Sequence, residues 1–275
     1  NQVIASAPAG RLVTTALEHP AVHAAAAQRD DLTVELVEVE ECGHVDAQRL
    51  LDVVMAGESP SLVCCMAANN ETGVLQPIGE LIRPLRALEV PLMVDASQMA
   101  GRLPLNFEAP DFLILTAHKL GGPKGIGAIV VREGMALEPL IVGGGQEGAL
   151  RSGTEPVPAI AGFGAAARVV YETRLEEASR MWSLRDAMIQ HLLHWLPGSR
   201  VIGVGAPRLP NTLSFVLPEG ASAAEVKAAL DAEGICVSSG SSCHEGHNTP
   251  SAVLTAMGVP ADEAMRVLRI SMGRV

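Results

Sequence analysis

Aromatic residues are scarce in this chain, at 3% of 275 residues. A core of any size must therefore be packed from Ala, Val, Leu, Ile and Met, which the 48% hydrophobic content can supply. An excess of positive charge is also missing: the net charge is −11. Such a balance argues against nucleic acid or an anionic bilayer as the main partner. No apolar run is long enough to cross a membrane, and no basic-then-apolar leader opens the chain. The opening Asn1-Gln2-Val3-Ile4-Ala5 has no initiator methionine, so the sequence reads as the interior of a longer protein with a segment upstream. The five cysteines, Cys42, Cys64, Cys65, Cys236 and Cys243, are odd in number and include no Cys-x-x-Cys pair. That spacing speaks against a disulfide framework and against a zinc site, and it fits a reduced, cytoplasmic compartment.

What is present is a βαβα rhythm. Short apolar runs at Ser61 to Ala67, Leu92 to Val94, Phe112 to Leu115 and Gly127 to Val131 predict buried strands of a parallel sheet covered on both faces. Helices are predicted at Pro20 to Gln28, Asp46 to Met55 and Ile78 to Leu88. From Ala159 to Leu196 the pattern predicts long helices, with Pro197-Gly198 as a stop. Beyond it come predicted strands at Asn211 to Leu217, Ile235 to Val237 and Val267 to Met272, and a helix at Ala223 to Glu233. The fold class is α/β: a large domain over residues 1–170 with a mostly parallel sheet, and a smaller α+β domain over residues 171–275.

Seven segments carry chemistry. Asp95, in Val94-Asp95-Ala96-Ser97-Gln98, stands at the C-terminal end of a buried strand, where ligands of α/β sheets bind. A carboxylate there can pair with a protonated ring nitrogen, although by itself an Asp in this place is more often a helix cap. Thr116-Ala117-His118-Lys119 ends a second strand and runs into the glycine-rich Gly121 to Gly127. A lysine so placed can form a Schiff base, and Thr116 and His118 can donate to a phosphate. Together, Lys119 and Asp95 point to pyridoxal phosphate (PLP), whose electron-sink chemistry needs both partners. His19 precedes a helix that opens with Pro20, where an imidazole can stack on a pyridine ring. Asn70, in Asn69-Asn70-Glu71-Thr72-Gly73, can bond a cofactor or a substrate carboxylate, or simply make a turn. The run from Gly143 to Thr154, expected to end a strand, offers backbone N–H groups and a hydroxyl to an anion. Cys243 lies in the polar Ser238-Ser239-Gly240-Ser241-Ser242-Cys243-His244 stretch, whereas Cys64 and Cys65 read as core. Arg269 on the last strand can clamp a carboxylate in bidentate fashion.

Taken in order, these segments resemble the cysteine desulfurases of the NifS/IscS type, within the class V aminotransferases of PLP fold type I. The resemblance runs from Glu18 to the C-terminus. It implies that Lys119 carries the cofactor, that Asp95 pairs with the ring nitrogen, that His19 stacks over the ring and that Gln98 bonds the ring hydroxyl. It further implies that Thr116 and His118 contact the phosphate, with Thr154 reaching the phosphate of a partner subunit in a homodimer. Asn70 and Arg269 would hold the carboxylate of L-cysteine. Cys243 would become a persulfide and pass sulfur to an acceptor such as an iron–sulfur scaffold protein. Two departures stand out: Thr116 replaces the usual Ser, and the family's Gly-Thr phosphate turn ahead of His19 and its continuation after Arg274 have no counterpart in this sequence. The same segments are open to two other readings: a different class V enzyme, such as a selenocysteine lyase or an aminotransferase, and a non-catalytic scaffold. No metal is expected.

Overall fold

The computed structural model describes residues 1–239 and 249–274. A short helix α1 (Gln2–Ser6) precedes β1 (Gly10–Thr15), α2 (Pro20–Ala27), β2 (Leu32–Val37), α3 (Ala47–Met55), β3 (Leu62–Met66), α4 (Ile78–Ala87), β4 (Leu92–Asp95), β5 (Phe112–Thr116) and β6 (Gly127–Val131). These strands form one six-stranded sheet in the order β2-β1-β3-β4-β5-β6. All neighbours are parallel except β5 and β6.

The central strand β3 shows why the sheet forms. Its five residues, Leu-Val-Cys-Cys-Met, are all buried. Successive side chains point to opposite faces of a strand. Leu62 and Cys64 therefore join a cluster with Ile4, Val22 and Ala26 of α1 and α2. Val63 and Cys65 join a larger one with Leu50 and Val54 of α3 and Leu81 and Leu85 of α4. Both thiols are fully buried and burial pushes them well above the usual cysteine range, which makes them core residues.

Three strand expectations need correction, the first two before the long helix. Gly127 to Val131 is a strand, but it pairs antiparallel with β5, and Val130 is 49% exposed. The connection from Thr116 to Gly127 is too short for a crossover helix, so the chain turns back on itself. Gly121, at φ 84°, supplies a left-handed turn there. The stretch before Gly143 forms no strand: it holds only an isolated bridge between Ile141 and Arg151, ahead of a 3₁₀ turn at Gln146–Ala149.

One helix, α5 (Val157–Trp195), fills the region where several were expected; its 39 residues extend roughly 58 Å. Tyr171 lies inside it. After it come β7 (Arg200–Val201), β8 (Thr212–Val216), α6 (Ala223–Ala232), β9 (Ser238–Ser239), α7 (Ala252–Ala256), α8 (Ala261–Ala264) and β10 (Val267–Ser271). The four strands form an antiparallel sheet in the order β7-β8-β10-β9. Ile235 to Val237 is not a strand. Ile235 N–H is spent on the Leu230 carbonyl in the cap of α6, and pairing with β10 begins only at Ser238.

The two sheets share one core. Val216 and Val267 of the second, with Val253 and Leu254 of α7, pack in the same cluster as Val63 and Val94 of the first. The backbone seals this junction where Leu209 N–H donates to the Gly73 carbonyl and Leu75 N–H to the Pro207 carbonyl. Gly73, at φ 76°, sits so close to Thr212 that an added Cβ would lie 2.9 Å from the Thr212 Cβ. Among the described residues, no helix is long and apolar enough to cross a membrane, and no cluster of His, Cys, Asp and Glu is arranged to hold a metal ion.

Candidate active site

The C-terminal ends of β1, β3, β4 and β5 lie along one edge of the parallel sheet, and each delivers part of the site. Register fixes their neighbourhood: Asp95 pairs with Met66 on one side and with Ile114 on the other.

From β1 the chain passes through Glu18 to His19, which caps α2. His19 Nδ1 accepts a 3.1 Å bond from Ala21 N–H, so the ring proton sits on Nε2. The cap uses an edge of the ring. Glu18 is buried behind it. Its Oε1 accepts from Met66 N–H at 2.7 Å and from Thr15 Oγ1 at 3.3 Å, whereas Oε2 has no hydrogen-bond partner among the described residues. Burial, reinforced by the nearby Asp95 charge, pushes the Glu18 carboxyl up to about 8. It is neutral at pH 7.

From β3 the chain enters the turn 69–73. Asn69 is buried and builds the turn: its Oδ1 accepts from Glu71 N–H at 2.9 Å and Thr72 N–H at 3.0 Å. Its Nδ2 donates to the Leu17 carbonyl at 3.1 Å, tying the turn to the β1 end. Asn70 is half-buried at the crest, and its carbonyl accepts a 3.1 Å bond from Arg269 Nη1. Asn70 and Arg269, 199 positions apart, thus meet.

Asp95 ends β4 and is partly buried, with Oδ1 accepting from Ser97 N–H at 2.8 Å. This closes a local turn that leads to the half-buried Gln98, whose carbonyl accepts from Arg102 at 2.7 Å. No helix starts here, so Asp95 is not a helix cap. Thr116 ends β5; its hydroxyl and His118 Nδ1 lie 2.8 Å apart. Partial burial and the charges of Lys119 and Lys124 hold the His118 imidazole below its ordinary value. His118 and Lys119 are exposed on the 3₁₀ turn Ala117–Leu120.

Thr154 is exposed in the loop ahead of α5, beside a cavity of about 610 Å³ lined by Gly153 and Glu155 among others. Cys243 and His244 lie outside the described residues. The strand leading to them is placed, however: Ser238 pairs with Arg269 and Ser239 with Leu268. Glu18 and Glu71 are buried acids whose roles the sequence did not disclose. Their membership of the Glu18-His19 and Asn69 to Gly73 segments was the available signal.

The fold and this strand-edge site define a class of protein, and comparisons with known proteins agree on it. The model of the aminotransferase class-V family matches residues 2–275. A cysteine desulfurase of Nostoc sp. is 39% identical over 272 residues, covering 96% of this chain and 66% of that protein. The X-ray structure of a NifS-like protein from Rickettsia africae superposes with a TM-score of 0.84 at 32% identity, over 96% of this chain and 70% of that one. A structure described as SspA in complex with cysteine gives a TM-score of 0.76 at 30% identity, over 96% and 74% of the two chains. The chain belongs to the aminotransferase class-V family, in the group of NifS/IscS-type cysteine desulfurases. It spans slightly less than two thirds of the Nostoc protein, at 66% of its length.

Proposed function

We propose that the protein to which this chain belongs is a PLP-dependent cysteine desulfurase: it converts L-cysteine to L-alanine and retains the sulfur on Cys243 as a persulfide. The observation that carries this reading is the convergence of His19, Asn70, Asp95 and Thr116-His118-Lys119 on one edge of the sheet.

The donor set fits PLP. Asp95 offers a carboxylate for a protonated ring nitrogen, Lys119 an amine for the aldehyde, and Thr116 with His118 a hydroxyl and an imidazole 2.8 Å apart for the phosphate. When bound, PLP supplies an electron sink conjugated to the substrate α-carbon. Lys119 Nζ would hold the cofactor and would take the substrate α-proton. Asp95 would favour a protonated ring nitrogen, and its hydrogen bond from Ser97 N–H holds its orientation. Gln98 would bond the ring hydroxyl. His19 would lie against the ring and present Nε2–H, because Nδ1 is engaged by Ala21. Asn70 and Arg269 orient the substrate carboxylate. The Cys243 thiolate attacks the substrate sulfur; the Cβ–S bond breaks, an S–S bond forms, and protonation at Cβ completes alanine.

The reading extends to a cytoplasmic homodimer in which Thr154 reaches the partner's phosphate site, and to an acceptor protein, such as an iron–sulfur scaffold, that takes the persulfide sulfur. The SspA complex with cysteine supports the substrate. The test is alanine and sulfide release from L-cysteine by the full-length protein, with and without Cys243→Ala. Alanine formation that depends on Cys243 is expected. Undiminished turnover by the variant would point to another class V activity.

A further inference from the structure

The turn 69–73 does more than present Asn70. Glu71 is 8% exposed, and its Oε2 accepts a 2.5 Å hydrogen bond from Ser251 Oγ, 180 positions away. Ser251 is buried too, and its hydroxyl accepts from Leu254 N–H at 3.3 Å, capping α7. Arg269 donates Nη1 to the Asn70 carbonyl, and its charge acts on Glu71. One turn of the first sheet therefore grips two later elements: β10 of the second sheet through the Asn70 main chain and the helix α7 through the Glu71 side chain. A buried carboxylate carries a desolvation cost that an apolar residue would avoid. Burial raises Glu71 to about 6, against the Ser251 bond and the Arg269 charge. Among the described residues, the charged group facing Glu71 is Arg269 of β10; Ser251 of α7, and Asn69 and Thr72 of its own turn, are neutral.

We propose that Glu71 is a positioning residue for Arg269: by bridging Ser251 and the Arg269 charge, it fixes β10 and α7 against the turn and sets the affinity of the site for an α-amino-acid carboxylate. The proposal rests on the carboxylate-binding role assigned above to Asn70 and Arg269. Ionised Glu71 competes with substrate for the Arg269 charge, so affinity falls as pH rises through about 6. A neutral acceptor at this position would keep the bridge and remove the competition.

In the full-length protein loaded with PLP, L-alanine is titrated into wild type, Glu71→Ala and Glu71→Gln while the visible band of the bound cofactor is followed, and KM and kcat for L-cysteine are measured alongside. Glu71→Ala should weaken alanine binding and raise KM about tenfold with kcat within about twofold, the size expected for losing a hydrogen bond to a charged group. Glu71→Gln should stay within about threefold of wild type and lose the inflection near pH 6 in the pH profile of KM. Unchanged alanine binding in Glu71→Ala, or a fall in kcat with KM unchanged, would overturn the proposal. The bridge is also read without cofactor or turnover: amide exchange at Leu254 and along β10 should accelerate in Glu71→Ala, with β1 to β4 unaffected. Unchanged exchange overturns the proposal whatever the enzyme does with cysteine. A wild type that forms no alanine overturns the desulfurase reading instead.

Discussion

Glu18 offers a quantitative test of the buried edge behind His19. The perturbation is Glu18→Gln, which keeps an oxygen to accept from Met66 N–H and Thr15 Oγ1 but never ionises. In the folded protein the carboxyl is raised from 4.5 to about 8. The folded state therefore holds a proton that the unfolded chain releases above 4.5. The Glu18 contribution to stability is most favourable below 4.5 and is lost as pH rises toward about 8. Each pH step in that window costs the wild type about 1.4 kcal/mol relative to the variant. The variant should gain over wild type about 1 kcal/mol at pH 5.5, about 3 kcal/mol at pH 7 and about 4 kcal/mol at pH 8. Urea unfolding of both proteins, in the same cofactor state and across that pH range, reads the difference; other titrating groups cancel in it. Burial at 3% exposure leaves little room for solvent screening. A difference that stays flat with pH, or a variant less stable than wild type at pH 8, would refute a neutral buried Glu18.

Two further outcomes follow from the same packing. Asn69→Ala strips the acceptor from Glu71 N–H and Thr72 N–H inside a buried turn, and should cost about 3 kcal/mol of stability in urea unfolding; a loss under about 1 kcal/mol would show that the turn does not depend on it. In native thiol labelling, among the described cysteines, exposed Cys236 should react first and half-buried Cys42 more slowly, with Cys64 and Cys65 protected until global unfolding. Labelling of Cys64 or Cys65 at the Cys236 rate would contradict the two-faced core around β3.

The sequence discloses what is local. β3 is legible because five consecutive apolar residues, bounded by Pro60 and an Asn-rich turn, fit a strand covered on both faces. Asp95 and Thr116-His118-Lys119 are legible because strand ends follow directly from strands. β1 is not legible in the sequence because Thr14 and Thr15 interrupt its apolar pattern; both are buried, and Thr14 Oγ1 donates to the Cys64 carbonyl at 3.1 Å. The antiparallel run of β6 is invisible in composition, since an apolar strand reads alike in either direction. The couplings that organise the site span large separations: 48 positions from Glu18 to Met66, 180 from Glu71 to Ser251 and 199 from Asn70 to Arg269. No periodicity reports such pairs, because they depend on how the two sheets dock.

Lys119, in the 3₁₀ turn that follows β5, is the residue proposed to carry PLP. The chain has three lysines, Lys119, Lys124 and Lys227, so the assignment can be read peptide by peptide. The full-length protein is incubated with PLP, the Schiff base is reduced with borohydride, and tryptic peptides are mapped by mass spectrometry. The pyridoxyl modification is expected on Lys119, and it should disappear in Lys119→Ala. Modification centred on Lys124 or Lys227, or none above that of denatured protein, would contradict it.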